Sequence, residues 1–415
     1  MFDLEIKQKF KDFDKLLFSQ KSNSFIYDSL LSIRTHYCVY ITKSQLGHLD
    51  AIKGIVRLVP KFISILFVRP DINNPNKVLV LGNSKQDQQL SSELHCGLVM
   101  TQRYNKKINF PLFLKVTLDF FRVCKFLVRS NLNKKDALLC WNSLFDFLVY
   151  YNSSLFNKTN KVLITENDID PINVAVILKA KEMGIKTIKI EYSFIDGINH
   201  NNVLCDYYFY PSTFHRNVRK AFLINKKLNY VEGGFPHLDA IKKLKYRPQK
   251  DPKIITYFTA HGGIVDDIFY IKEILSVIED GYVLYVKVHP REDLNKYNIF
   301  INSKKCKIVK YNEVDNYTLI KKSHICISVM SFMCIEAKHI CDKTFFINYN
   351  IKKGQHSLIP YDDFSPYIEV ISSRDYLKRA IAKDSFRSKE FHSFFNFTYP
   401  NTVKSLKILS NKLML

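Results

Sequence analysis

KIITYFTA (253–260), HGG (261–263) and IVDDIFYIKEILSVIEDG (264–281) set the rhythm from which the fold is read. A β-branched and aromatic run is followed by a glycine turn, then by apolar residues at helical spacing that stop at Gly281. The rhythm repeats. YVLYVKVHPRED (282–293) is a strand broken at Pro290, KCKIVKYN (305–312) a third strand and HICISVMS (324–331) a fourth; FMCIEAKHI (332–340) is a short helix and KTFFINYN (343–350) closes the series. Strands that are almost continuously apolar, alternating with helices, predict a parallel sheet covered on both faces. In such a sheet ligands gather beyond the carboxyl ends of the strands. That makes His261–Gly263, His289–Glu292 and Ser328–Ser331 the first places to look for chemistry.

Working outward, the preceding half shows the same alternation. KVLVLGN (77–83) and KVLITEND (161–168) are strands, PINVAVILKAKEMG (171–184) a helix, and KTIKIEYS (186–193) and LCDYYFYPS (204–212) further strands. HYCVYIT (36–42) is a candidate first strand, LNYVEGG (228–234) a short one, and FPHLDAIKKL (235–244) a helix. The basic, proline-bearing KYRPQKDPK (245–253) has the composition of a linker. The expected organisation is an N-terminal Rossmann-like domain over residues 1–235, a linker over 236–252, a C-terminal Rossmann-like domain over 253–390 and a helical tail over 391–415. Two α/β domains of this kind place a ligand cleft between the carboxyl edges of their sheets.

The chain has 415 residues, 47% of them hydrophobic, which suits two globular domains. Its 62 Lys and Arg against 39 Asp and Glu leave a formal charge of +23, so an anionic partner is expected. Nucleic acid is disfavoured, because the cations are dispersed and no recognition motif appears. The nine cysteines are scattered through apolar segments, as reduced thiols are in a cytoplasmic protein. His324, Cys326, Cys334, His339 and Cys341 lack a paired C-x-x-C, so no metal is expected. The N-terminus has no uninterrupted apolar core of a secretory signal, and no run reaches the length of a membrane span. NFPLFLKVTLDFFRVCKFLVRS (109–130) is different: a basic, Phe-rich amphipathic helix suited either to a membrane interface or to the domain core with its cations reaching out to solvent. KSLKILSNKLML (404–415) is a weaker candidate for the same role.

Within the predicted sheet edge, Lys287 and His289 fall on one face of a strand, with Pro290 and Arg291 after them. An imidazole fixed there is placed to bond a phosphate oxygen. Ser328 and Ser331 precede a helix and offer hydroxyls to the same kind of anion, and Glu336 within that helix is a candidate for ribose hydroxyls. His261, Gly262 and Gly263 are candidates for an amide nest. In the N-terminal half Glu166, Glu191, Asp196 and His200 follow strands; of these, Glu191 and Asp196 are the preferred general bases.

Taken together, VEGGFPHLDAIKKL (231–244), YVKVHPRED (285–293) and ISVMSFMCIEAKHICDKTFFINY (327–349) resemble the C-terminal half of bacterial glycosyltransferases of the GT-B fold. Among these are sialyl- and polysialyltransferases, Kdo transferases and CDP-glycerol glycerophosphotransferases. The resemblance rests on Gly234-Phe235-Pro236, on His289-Pro290 and on Ser328 and Ser331 ahead of Glu336-Ala337. It implies two Rossmann-like domains facing across a cleft and an inverting, metal-independent transfer without cofactor. The implied donor is a nucleotide-activated sugar, foremost a CMP-activated acidic sugar, with His289 and the serines on its phosphate. The implied acceptor is an oligosaccharide or glycolipid of the cell surface, reached at the inner face of the cytoplasmic membrane. A CDP-glycerol-type transferase and a nucleotide-sugar epimerase are the alternatives. The acidic-acidic-Gly motif of many relatives is absent from the N-terminal half, which has Glu191-Tyr192-Ser193 and Ile195-Asp196-Gly197 instead.

Overall fold

The computed structural model describes residues 12–13, 15–17, 19–20, 25–30, 32, 34, 74–99, 110–130, 141–153, 155–192, 203–213, 215–216, 228–239, 253–260, 265–290, 292–329, 331–341, 343–350, 368–383 and 401–414. They form two compact units, residues 1–236 with 401–415, and residues 237–400. The predicted strand at 36–42 and most of the predicted linker lie outside the described residues.

In the first unit six strands run parallel: β1 (Val78–Leu81), β2 (Gly97–Val99), β3 (Val162–Thr165), β4 (Lys186–Lys189), β5 (Tyr207–Tyr210) and β6 (Asn229–Glu232), in the order β2-β1-β3-β4-β5-β6. The order reverses between β1 and β3. One face is covered by α2 (Phe110–Arg129), α3 (Trp141–Tyr151) and α4 (Pro171–Glu182), whose apolar side chains share a core with Leu79, Leu81 and Leu163. The periodicity of α2 explains its place: Leu112, Val116, Phe120, Val123, Cys124 and Leu127 recur at helical spacing and are all buried. Trp141 lies against Phe120, ring centroids 6.0 Å apart. The strand β2, α1 (Lys85–Leu94) and α3 were not anticipated from the sequence; β2 is only three residues long and α1 is mostly polar.

The opposite face carries Val80, Ile164, Ile188 and Phe209, and part of its cover comes from α9 (Thr402–Leu413), at the far end of the chain. Leu406 of α9 is fully buried there with Leu90 and Leu94 of α1. The tail is therefore part of the first unit and not an appendage of the second. Gly234 records its approach: a Cβ at this position would lie 2.3 Å from the Thr402 hydroxyl oxygen, so only glycine fits. The segment predicted as a helix after it holds a 3₁₀ turn at Pro236–Asp239.

The second unit is built from β7 (Lys253–Phe258), β8 (Tyr282–Lys287), β9 (Cys306–Val309), β10 (Ser323–Ser328), β11 (Lys343–Ile347) and β12 (Glu369–Ile371), all parallel. Their order, β12-β11-β10-β7-β8-β9, reverses between β7 and β10, as in a dinucleotide-binding sheet. The helices α5 (Asp267–Val277), α6 (Asn316–Lys322) and α7 (Met333–Lys338) lie in the β7–β8, β9–β10 and β10–β11 crossovers, a 3₁₀ segment at Leu294–Phe300 lies in β8–β9, and α8 (Arg374–Ala382) follows β12. KTFFINYN, read as the last strand, is followed by β12 and α8, which complete the sheet. Glu279-Asp280-Gly281 lies in the turn between α5 and β8, a helix stop as its position suggested.

Leu406→Ala is expected to cost about 2–5 kcal/mol of stability, as loss of a buried leucine does. Ile408→Ala, on the exposed side of α9 at 59% exposure, should change it by less than ~0.5 kcal/mol. Urea unfolding followed by far-UV circular dichroism measures both, and equal effects would mean that α9 is not docked.

Candidate functional site

In the second unit the strand order brings the ends of β8 and β10 to either side of the end of β7. His289 follows β8, half-buried, and its backbone N–H donates to the Thr259 hydroxyl at 2.9 Å. Thr259 is thus the residue that holds the His289 backbone to the neighbouring strand. Pro290 beside it is exposed. On the other side, Ser328 is fully buried. Its hydroxyl donates to the Phe258 carbonyl at 2.9 Å and accepts from the Ser331 N–H at 2.9 Å. That pair of bonds ties β10 to β7 and shapes the turn into α7. Ser331 accepts from the Met333 N–H at 3.2 Å, half-exposed at the same turn.

Two expected donor ligands have other work. Lys287 is buried, and its ammonium donates to the carbonyls of Lys310, Tyr311 and Val314 at 2.9, 2.9 and 2.5 Å. Three donors on three carbonyls leave none for a phosphate; Lys287 anchors the loop after β9. Glu336, 4% exposed, takes a hydrogen bond from Tyr317 of α6, whose phenol is pushed far up by burial and by that carboxylate. His261, Gly262, Gly263 and Arg291 lie outside the described residues. The described residues on either side are pinned to one another: Asp267 accepts from the Tyr257 hydroxyl at 2.7 Å and from the Ala260 N–H at 3.2 Å. Cys326 and Cys334 are buried with thiols pushed well up by desolvation, and no group of three metal-ligating side chains occurs among the described residues.

In the first unit, the reversal between β1 and β3 opens a cavity of about 240 Å³. Asn83, Ser84 and Asp87 from the β1 side, and Glu166, Asn167 and Asp170 from the β3 side, give it a polar lining. Ser84 and Asp87 cap α1 reciprocally: the Ser84 N–H donates to Asp87 at 3.0 Å and the Asp87 N–H to the Ser84 hydroxyl at 3.0 Å. Gly82 admits the Asp87 carboxylate against the strand end, where a Cβ would meet it at 2.0 Å. Asn167 accepts from the N–H groups of Ile169 and Asp170, and Asp170 caps α4 through the Ile172 N–H.

Behind this lining lies a buried lysine. Lys189 ends β4, 1% exposed, with its ammonium 3.2 Å from Asp168 and 3.8 Å from Glu191. The parallel register of Thr165 with Lys189 is what sets it beside the residues that follow β3. A charge so deep persists only when paired. Among the described residues Lys189 is also the one cation that acts on the nearby Glu166. Its carboxyl is pushed up to about 7 by burial, with Asp87 and Glu191 adding repulsion and Lys189 opposing it. Of the candidate bases singled out in the sequence, Glu191 is buried beside Lys189, Asp196 and His200 lie outside the described residues, and Glu166 reaches the cavity. Lys189 was missed; β4 reads Lys-Thr-Ile-Lys, and nothing in that run marks its second lysine as the buried one.

No protein-family model matches the chain, and no curated protein does. Solved structures resemble it in chain path. The wall teichoic acid polymerase TagF is 12% identical, with 89% of this chain and 99% of that one covered and a TM-score of 0.48. The UDP-GlcNAc 2-epimerase from Neisseria meningitidis bound to UDP-GlcNAc is 12% identical over 81% and 98%, with a TM-score of 0.46. The glycosyltransferase of kitacinnamycin is 8% identical over 81% and 98%, with a TM-score of 0.45. Likeness this low does not bear on activity.

The raised Glu166 carboxyl has a pH signature. Between its ordinary value of 4.5 and about 7 the folded chain binds a proton that the unfolded chain releases, so this group makes stability fall as pH rises through that window. Glu166→Gln removes the effect. Melting temperatures of the two proteins should agree near the lower value, and the variant should gain as pH rises and plateau above the upper one. A gap independent of pH would show that Glu166 titrates normally.

Proposed function

We propose that the chain is a glycosyltransferase that moves a sugar from a nucleotide-activated donor to a hydroxyl of a surface-glycan acceptor, by inversion and without a metal. The carrying observation is the pairing of chemistries at two strand-order reversals: His289 and the Ser328–Ser331 turn at one, a carboxyl poised near neutrality at the other. The donor is assigned to the second unit. There the His289 imidazole bonds the phosphate that departs with the electron pair of the broken glycosidic bond, and Ser331 and the HGG turn supply further donors. The acceptor is assigned to the first unit. A base with a pKa near the working pH removes the proton of the attacking hydroxyl most effectively, and Glu166 has that property within this cavity. Asp196 remains a second candidate for the base on its place in the sequence, and Glu191 assists through Lys189.

A CMP-activated acidic sugar is the proposed donor, on the motifs around His289 and the cationic balance of +23. A CDP-glycerol-type donor is the alternative within the same chemistry, and a nucleotide-sugar epimerase the alternative beyond it. Peripheral association with an anionic membrane surface on the cytoplasmic side completes the reading, supported by the exposed apolar residues of α2. Among the described residues no helix is long and apolar enough to cross a membrane.

Thermal denaturation with CMP, CDP, UDP and GDP tests the assignment. A nucleotide present at 100 times its Kd stabilises the native state by about 2.7 kcal/mol. CMP or CDP is expected to raise the melting temperature of the native chain and to leave His289→Ala unmoved. Stabilisation by UDP alone would favour the epimerase, and indifference to all four would remove the transferase reading.

A further inference from the structure

Helix α2 is apolar on two sides, and only one of them is used. Opposite its buried face, Phe110, Leu114, Leu118, Phe121 and Val128 are 60, 49, 62, 62 and 49% exposed. Their spacing of three, four and seven residues puts them in one stripe along the helix. A contiguous exposed stripe of large apolar side chains marks a surface that is covered by something. Beside it a cavity of about 490 Å³ is walled by Leu16, Ile26 and Phe126 and holds the cationic side chains of Arg122, Lys125 and Arg129. Among the described residues no carboxylate lines it. The Arg122 guanidinium is steadied over the Phe25 ring, 5.4 Å from its centroid.

We infer that this cavity seats the phosphate headgroup of an anionic phospholipid while the stripe of α2 enters the acyl boundary of the same bilayer. The two features ask for an amphiphile. Three cations on one flank of an apolar stripe satisfy a phosphodiester and its hydrocarbon together. An acidic peptide or a nucleic acid would meet the cations and leave Leu118 and Phe121 in water. The apolar wall of Leu16, Ile26 and Phe126 takes the glycerol and the first methylenes below the phosphate. The inference rests on the proposed membrane association and is independent of the transferase chemistry.

The test is co-sedimentation of the full chain with vesicles of phosphatidylcholine alone or mixed with phosphatidylglycerol. Each cation near an anionic surface strengthens binding about fivefold, so Arg122→Ala, Lys125→Ala and Arg129→Ala combined should weaken binding to the mixed vesicles on the order of 100-fold. Removing three exposed cations of the second unit, Lys304, Lys307 and Lys310, to alanine is the control for net charge and should weaken it severalfold at most. Leu118→Ser with Phe121→Ser should abolish binding with the cations intact. Trp141, the single tryptophan, reports through its emission that each variant is folded. Equal losses from the two triple variants would overturn the site, reducing it to diffuse attraction. Release by millimolar inorganic phosphate would overturn the lipid as its ligand. Equal binding to both vesicle types would overturn the headgroup, and failure to bind either would remove the membrane association itself while leaving the nucleotide test untouched.

Discussion

A parallel sheet cannot be closed by hairpins. Each strand must pass the chain to a crossover that packs on one face or the other, and both faces must be kept from water. In this protein that requirement explains the strand order of both units and the return of α9 to cover Val80, Ile164 and Phe209. It also explains where chemistry is possible. Where successive crossovers change sides, between β1 and β3 and between β7 and β10, the chain parts and the strand ends are left open.

What fills those openings is governed by desolvation. At the first, a lysine buried at the end of β4 pairs with Asp168 and Glu191, and the neighbouring carboxyl, Glu166, is pushed up chiefly by burial, with repulsion from Asp87 and Glu191 added. At the second, buried groups are spent on the frame: the Lys287 ammonium on three carbonyls, the Ser328 hydroxyl on β7 and on its own turn. The contrast is physical. A buried polar group must be bonded within the protein, so the groups best placed for a ligand are the half-buried ones at the rim, His289, Ser331 and Glu166.

Charge is distributed to the same logic at longer range. The chain carries +23 overall, yet acids gather in the small cavity of the first unit and cations line the larger one beside α2.

Much of this was legible in the residues alone. Apolar runs such as KIITYF and VLIT, helical spacing in α2 and α5, and the stops between them are local properties, and they determined the α/β class and the strands that carry His289 and Glu166. Tertiary structure decided the rest, because it depends on partners distant in the chain. The cation at Lys189 meets Asp168 only through the register of β3 with β4, and Gly234 acquires its reason only when Thr402 arrives against it. Likewise the sequence of α2 showed an amphipathic helix, while only packing against α3 revealed which of its apolar residues remain outside.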